Sequence, residues 1–165
     1  MLGTSSAELL GTGDLLRPAD IDGELTLPVS AEVEWTALAP LRIAVLDDVF
    51  LAAACRYPPV LARLMGRAVA RAKALALHDA VTNLKHVETR LLVQFWHLAE
   101  RWGRVGRDGV TLAMPLTHEL LAKLVGAQRP TVTTALGRLA ERGDVIRDGA
   151  GWRLSHSSRT GLSAL

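Results

Sequence analysis

A single cysteine, Cys55, stands among 165 residues. It excludes an internal disulfide framework and any cluster or metal site built on several thiolates. Aromatic residues are scarce too, at 4%, so any core must be built largely from aliphatic side chains. Long apolar runs are missing: Leu38 to Leu46 is broken by Pro40 and Arg42, and Asp47 follows. Nothing approaches the roughly 20 apolar residues of a membrane span. The first residues, Met1-Leu2-Gly3-Thr4-Ser5-Ser6, carry no basic stretch ahead of an apolar one, so no secretory leader is read and a cytoplasmic location is expected. The five histidines make no metal-ligand spacing, and Ser5-Ser6 and Ser157-Ser158 have no His or Asp partner at a meaningful spacing. No metal, no cofactor and no enzymatic activity are expected.

What is present is a globular composition with a helical bias, 49% hydrophobic and 22% charged, long enough for one ordinary domain or two small ones. The formal net charge of +2 is unevenly placed. Residues 1–85 hold 8 basic and 10 acidic side chains, whereas residues 86–165 hold 11 and 7. A basic C-terminal half suits a polyanionic partner.

The first 50 or so residues mix Gly, Pro and Asp with short apolar runs at Leu15–Leu16, Leu25–Val29, Val33–Trp35 and Arg42–Leu46, which read as strands joined by turns. After Tyr57-Pro58-Pro59 the pattern changes. From Val60 to Leu84, apolar residues such as Leu61, Leu64, Met65, Ala68, Val69 and Ala72 recur at three- and four-residue spacings, which predicts an amphipathic helix of about seven turns opened by proline. So long a helix beside so little N-terminal structure is expected to bury its stripe against a second copy, in a parallel two-helix seam. Leu84-Lys85-His86 reads as a joint, Val87–Arg101 as a second helix ended by Gly103 and Gly106, and Val110–Met114 as a short strand.

The informative stretch is LTHELLAKLVGAQRPTVTTALGRLAERG, residues 116–143. Thr117 is an N-cap, Glu119 sits in the favourable first turn, and Leu120, Leu121, Leu124 and Val125 form an apolar face. Gly126 permits a sharp turn, and Pro130 opens a second helix. Val132, Ala135, Leu136 and Leu139 form the buried side of that helix, leaving Gln128, Arg129, Thr131, Thr133, Thr134 and Arg138 outside. Two short helices, a glycine turn and a hydroxyl-rich second helix make a helix-turn-helix pattern. Arg129 can pair with guanine, and Gln128 and the threonines can bond base edges or phosphates. Val145-Ile146-Arg147, the turn 148–151 and Trp152-Arg153-Leu154 read as a β-hairpin wing, with Arg147 and Arg153 as phosphate contacts. The plainer alternative is an αα-hairpin in a generic helical domain.

The motif at 116–143 resembles, end to end, the signature of the Crp/Fnr (cyclic-AMP receptor protein) family of regulators, and RLLVQFWHLAERWG, residues 90–103, is similar to that family's helix leading into the DNA-binding domain. The family's first recognition-helix arginine falls on Arg129; its usual acidic neighbour becomes Pro130, and a later basic contact falls on Thr134. The resemblance therefore implies an altered operator. WTALAPLRIAVLDDVF, residues 35–50, resembles the last strands of the family's cyclic-nucleotide-binding β-roll, and the helix after Pro59 takes the place of its dimerisation helix. The resemblance implies an α+β chain in three parts: a partial β-roll over 1–58, a dimerisation helix over 59–85 and a winged helix-turn-helix domain over 86–165. The stretch before Pro59 is about half the length such a roll needs. Gly13-Asp14-Leu15-Leu16 and Gly23-Glu24-Leu25 are candidates for the first part of the family's phosphate cassette. The second reads Val29-Ser30-Ala31-Glu32, without the arginine that would neutralise a cyclic phosphate.

The expected function is that of a homodimeric, sequence-specific transcription regulator, bound to double-stranded DNA with RNA polymerase as a further partner and no membrane contact. Two other readings stay open: an effector-gated sensor acting through the joint at Leu84–His86, and an interaction module that pairs with a full-length relative.

Overall fold

The computed structural model describes residues 6–16 and 34–162. They divide into two compact units, residues 10–73 and residues 74–162 with 6–9. The division falls inside the long helix that follows Tyr57.

In the first unit, helix α1 spans Asp48–Ala54. Asp47 caps it, its carboxylate accepting from the Phe50 amide at 2.8 Å, which satisfies one of the orphan donors of a helix start. Helix α2, Pro58–Thr82, is 25 residues long, or about 37 Å at 1.5 Å per residue. It opens on the two prolines, which need no amide partner in a first turn. Arg71 on α2 donates to the Leu15 carbonyl at 2.8 Å, and the Gly11 amide donates to Asp14 Oδ2 at 2.8 Å.

The expected β-roll strands are corrected wherever the structure describes them. Leu15–Leu16, Glu34–Trp35 and Arg42–Leu46 form no strand. A strand exists only through a ladder partner, and Arg42–Leu46 has none among the described residues; Ile43 and Val45 are 69% and 83% exposed. The apolar run announced β-propensity, but the chain turns into α1 at Asp47 instead. Leu25–Val29, Gly23-Glu24-Leu25 and Val29–Glu32 lie outside the described residues, as does Val33.

The second unit is where the core sits. Helix α3, Val87–Trp102, follows the joint and turns Leu91, Phe95, Leu98 and Ala99 inwards. Strands β1 (Arg104–Gly106) and β2 (Gly109–Leu112) make a hairpin, then come α4 (His118–Val125), α5 (Arg129–Glu141), the hairpin β3 (Val145–Asp148) and β4 (Gly151–Leu154), and α6 (His156–Leu162). The four strands form one antiparallel sheet in the order β1-β2-β4-β3. β1 and α6 escaped the sequence reading. β1 has no apolar alternation of its own and exists because Val110 and Thr111 pair with it.

Leu112, Leu116, Leu121, Leu139 and Leu154 have no exposure at all, and Phe95 meets Trp152 at 5.1 Å between ring centroids. The two indoles that enter this core are satisfied. Trp152 Nε1 donates to the Leu116 carbonyl at 3.2 Å and Trp96 Nε1 to Ser158 Oγ at 3.1 Å, as burial of a polar atom demands.

Candidate nucleic-acid interface

Helices α4 and α5 owe their geometry to a short chain of local signals. Thr117 Oγ1 accepts from the Leu120 amide at 3.1 Å and so caps α4. Gly126 ends α4 at φ 60°, ψ 46°, the left-handed cap conformation that other residues reach only with strain. A side chain there would also press within 3.2 Å of the Thr82 methyl. The turn is thus set by backbone chirality and by close approach together. α5 starts at Arg129 with Pro130 in its first turn, and Gln128 takes the cap position without using its side chain as a cap. At the far end, the Gly143 amide reaches the Ala140 carbonyl at 2.9 Å and the Asp144 amide the Leu139 carbonyl at 2.9 Å.

Val132, Ala135, Leu136 and Leu139 are all buried on the inner side of α5. The six residues singled out in the sequence, the cap Gln128 and Arg129, Thr131, Thr133, Thr134 and Arg138 on α5, are all exposed. A 3.6-residue period leaves no other arrangement once the inner four are fixed. Their bonding differs sharply. Arg129 and Gln128 make no side-chain hydrogen bond or ion pair among the described residues. Thr134 Oγ1 donates to the Pro130 carbonyl at 3.2 Å, and Thr133 Oγ1 lies 3.1 Å from the Arg129 carbonyl and 2.9 Å from His118 Nδ1. His118 was not picked out from the sequence. Its position directly after an N-cap threonine was the only available signal.

Arg138 is held from below. Its Nη1 lies 2.9 Å from Glu88 Oε1 on α3, and Arg142 Nη1 lies 2.9 Å from Glu88 Oε2. Arg142 Nε also pairs with Asp144 at 2.8 Å. The Arg142 and Arg138 guanidiniums hold the Glu88 carboxyl below its usual range, while Asp144 and then Glu88 push Arg142 further up. The ion-paired carboxylate ties α5 to α3 at the end away from Arg129.

Both arginines of the wing have partners within the protein. Arg147 lies over the Trp152 ring at 4.8 Å and donates to the Leu116 carbonyl at 3.2 Å. Arg153 Nε is 3.8 Å from Asp148 Oδ2. The structure therefore brings Thr117 and the α5 residues together on one helix-turn-helix, and gives Arg138, Arg147 and Arg153 partners within the protein. No group of three or more His, Cys, Asp or Glu side chains with metal-binding proximity occurs among the described residues.

Residues 89–165 match the family model described as a Crp-like helix-turn-helix domain. This stretch of the chain is a Crp-like helix-turn-helix domain. The domain is thus α3 to α6, with the four-stranded sheet. The CRP-like cAMP-activated global transcriptional regulator of Mycobacterium tuberculosis is 28% identical over 149 residues, 88% of this chain and 66% of that protein. Among solved structures, FixK2 from Bradyrhizobium japonicum is similar with a TM-score of 0.59 at 20% identity, over 70% of this chain and 56% of that one. A CooA variant from Carboxydothermus hydrogenoformans gives 0.60 at 20% identity, over 70% and 52%. The last two show the fold. The match covers just under two thirds of the mycobacterial relative and about half of each solved chain.

Proposed function

We propose that this chain is a sequence-specific DNA-binding regulator of transcription, working as a homodimer in the cytoplasm with RNA polymerase as a further partner. The observation that carries the reading is α5: a fully buried inner face beneath an exposed set that includes a cation and an amide with no partner among the described residues. A recognition helix needs that division, because the inner side must hold it rigidly while the outer side exchanges water for base edges. Arg129 is assigned to guanine, Gln128 and Thr131 to base edges or phosphate, and Thr117 to the backbone beside α4. Arg138 and Arg147 serve only by exchanging their internal partners for phosphate.

The dimer rests on α2. Met65, Val69, Leu75 and Leu77 are exposed along it, and Val81 is the one buried residue among those of its 25 described here. An amphipathic helix with its stripe in water is stabilised by pairing with a copy of itself. No helix among the described residues is long and apolar enough to cross a membrane.

A gel-shift series on promoter fragments tests the proposal. Binding should weaken steeply between about 50 and 200 mM salt, as release of counterions from several phosphates requires. Absence of preference for any duplex over random competitor would overturn it. Sedimentation of the same samples should give a two-chain species; a mixed pair with a longer relative, and none with itself, would favour the interaction-module reading instead.

A further inference from the structure

The polar face of α5 is not uniform in what it offers a duplex. A hydroxyl has one proton and two lone pairs. Thr133 Oγ1 has two inward partners, the Arg129 carbonyl at 3.1 Å and His118 Nδ1 at 2.9 Å. When Nδ1 is bare, the hydroxyl donates to the ring. When Nδ1 carries a proton, the ring donates to Oγ1 and the hydroxyl turns to the Arg129 carbonyl. In both arrangements the proton stays within the protein, and a lone pair is what remains for a partner outside. Thr134 likewise spends its proton inwards, on the Pro130 carbonyl at 3.2 Å. The donors left on this face are Arg129, Gln128, Thr131 and the N–H groups of Arg138 that Glu88 does not take.

We propose that His118 is a positioning residue that makes Thr133 an acceptor-only group, so that α5 reads an exocyclic amino group, adenine N6 or cytosine N4, opposite Thr133. The proposal rests on the DNA-binding reading above. Phosphate oxygens only accept hydrogen bonds, which removes Thr133 from the phosphate contacts. In the major groove the hydrogen-bond donors are those two amino groups, so an acceptor at this position separates A and C from G and T. The charged groups around His118 are Glu119 beside it on α4, Arg129 one turn before Thr133 on α5, and Arg147 on β3, which covers the same Trp152 ring that His118 approaches at 6.2 Å. Because both protonation states of His118 keep the Thr133 proton inside, the preference is independent of the imidazole's charge.

Selection from a randomised duplex library with the full chain, at about pH 6 and about pH 8 so as to straddle the histidine range, tests this. The wild type should favour A or C about tenfold at one position of each half-site, at both pH values. T133V should flatten that position and leave the others intact. H118A leaves the hydroxyl with the Arg129 carbonyl alone in place of two inward partners, so the preference at that position should weaken towards G and T, and H118A/T133V should match T133V alone. Wild-type preferences retained at every position by T133V, a relaxed position that had favoured G or T, or an H118A profile unchanged there would each overturn the proposal. Failure to bind any duplex overturns the DNA-binding reading and this one with it. Duplex binding with an unchanged T133V profile overturns this one alone.

Discussion

The two units of the chain solve the problem of apolar surface in opposite ways. In the Crp-like unit nearly every large aliphatic side chain is sealed, from Leu91 on α3 to Leu154 on β4. In the unit of residues 10–73, Ala54 is the one buried hydrophobic among the described residues, while Val45 and Val49 stand 83% and 77% exposed. The first arrangement is a finished fold. The second leaves its apolar side chains on the surface, those along the exposed side of α2 among them. Under the proposed function, recognition divides by chemistry, with polar readout on the C-terminal domain and apolar contact on α2.

The contrast is sharpened most by substitution in each unit. Phe95→Ala should cost about 3–5 kcal/mol, because a fully buried ring leaves a cavity, and should lower the urea midpoint of the Crp-like unit accordingly. Val45→Ala, in contrast, should stay within about 0.5 kcal/mol. An equal cost for both would erase the distinction between the units.

The next largest effect is on association. Met65→Glu places a carboxylate on the exposed stripe of α2, where Met65 is 66% exposed in the single chain. Dimerisation should weaken by about a hundredfold, since the charge must be desolvated in the seam, while melting of the Crp-like unit stays unchanged. Sedimentation equilibrium reads the first and calorimetry the second. An unaltered dimer would place the seam elsewhere.

Acid sensitivity comes third. Glu88 has its carboxyl pKa lowered by the bonds from Arg142 and Arg138. A folded pKa below the ordinary 4.5 means stabilisation that is present above that value and lost as pH falls through the folded one. Glu88→Gln should cost about 1 kcal/mol at neutral pH, given that both arginines are largely solvated, and should flatten the fall in melting temperature below about pH 4.5. His97, whose pKa is lowered chiefly by burial, loses stabilisation on the acid side too, but in the higher histidine window. A Glu88→Gln profile parallel to the wild type would show the ion pairs to be inert.

The smallest effect has the opposite sign. Gly137 lies in the middle of α5 on its exposed side, and a Cβ there would meet nothing within 4 Å. Gly137→Ala should therefore stabilise the domain by up to about 1 kcal/mol. If the glycine keeps the helix backbone low against a duplex, the same variant should bind DNA more weakly in the gel-shift assay.

The sequence by itself determined the elements whose cause is local. The three- and four-residue spacing of Leu121, Leu124, Val132, Leu136 and Leu139, the Thr117 cap and the Gly126 turn specify two helices at a fixed angle, because caps, chirality and period act within a few residues. Helices α2 and α3 were legible for the same reason, to within two residues at their ends. Tertiary structure decided the rest, because it depends on partners far away in the chain. β1 exists only as the neighbour of β2, Arg42–Leu46 stays unpaired for want of a ladder partner, and Arg138 is steered by a carboxylate fifty positions earlier. Only the fold could place His118 Nδ1 against Thr133, fifteen residues on, and a hydroxyl's single proton then decides which way that side chain can speak.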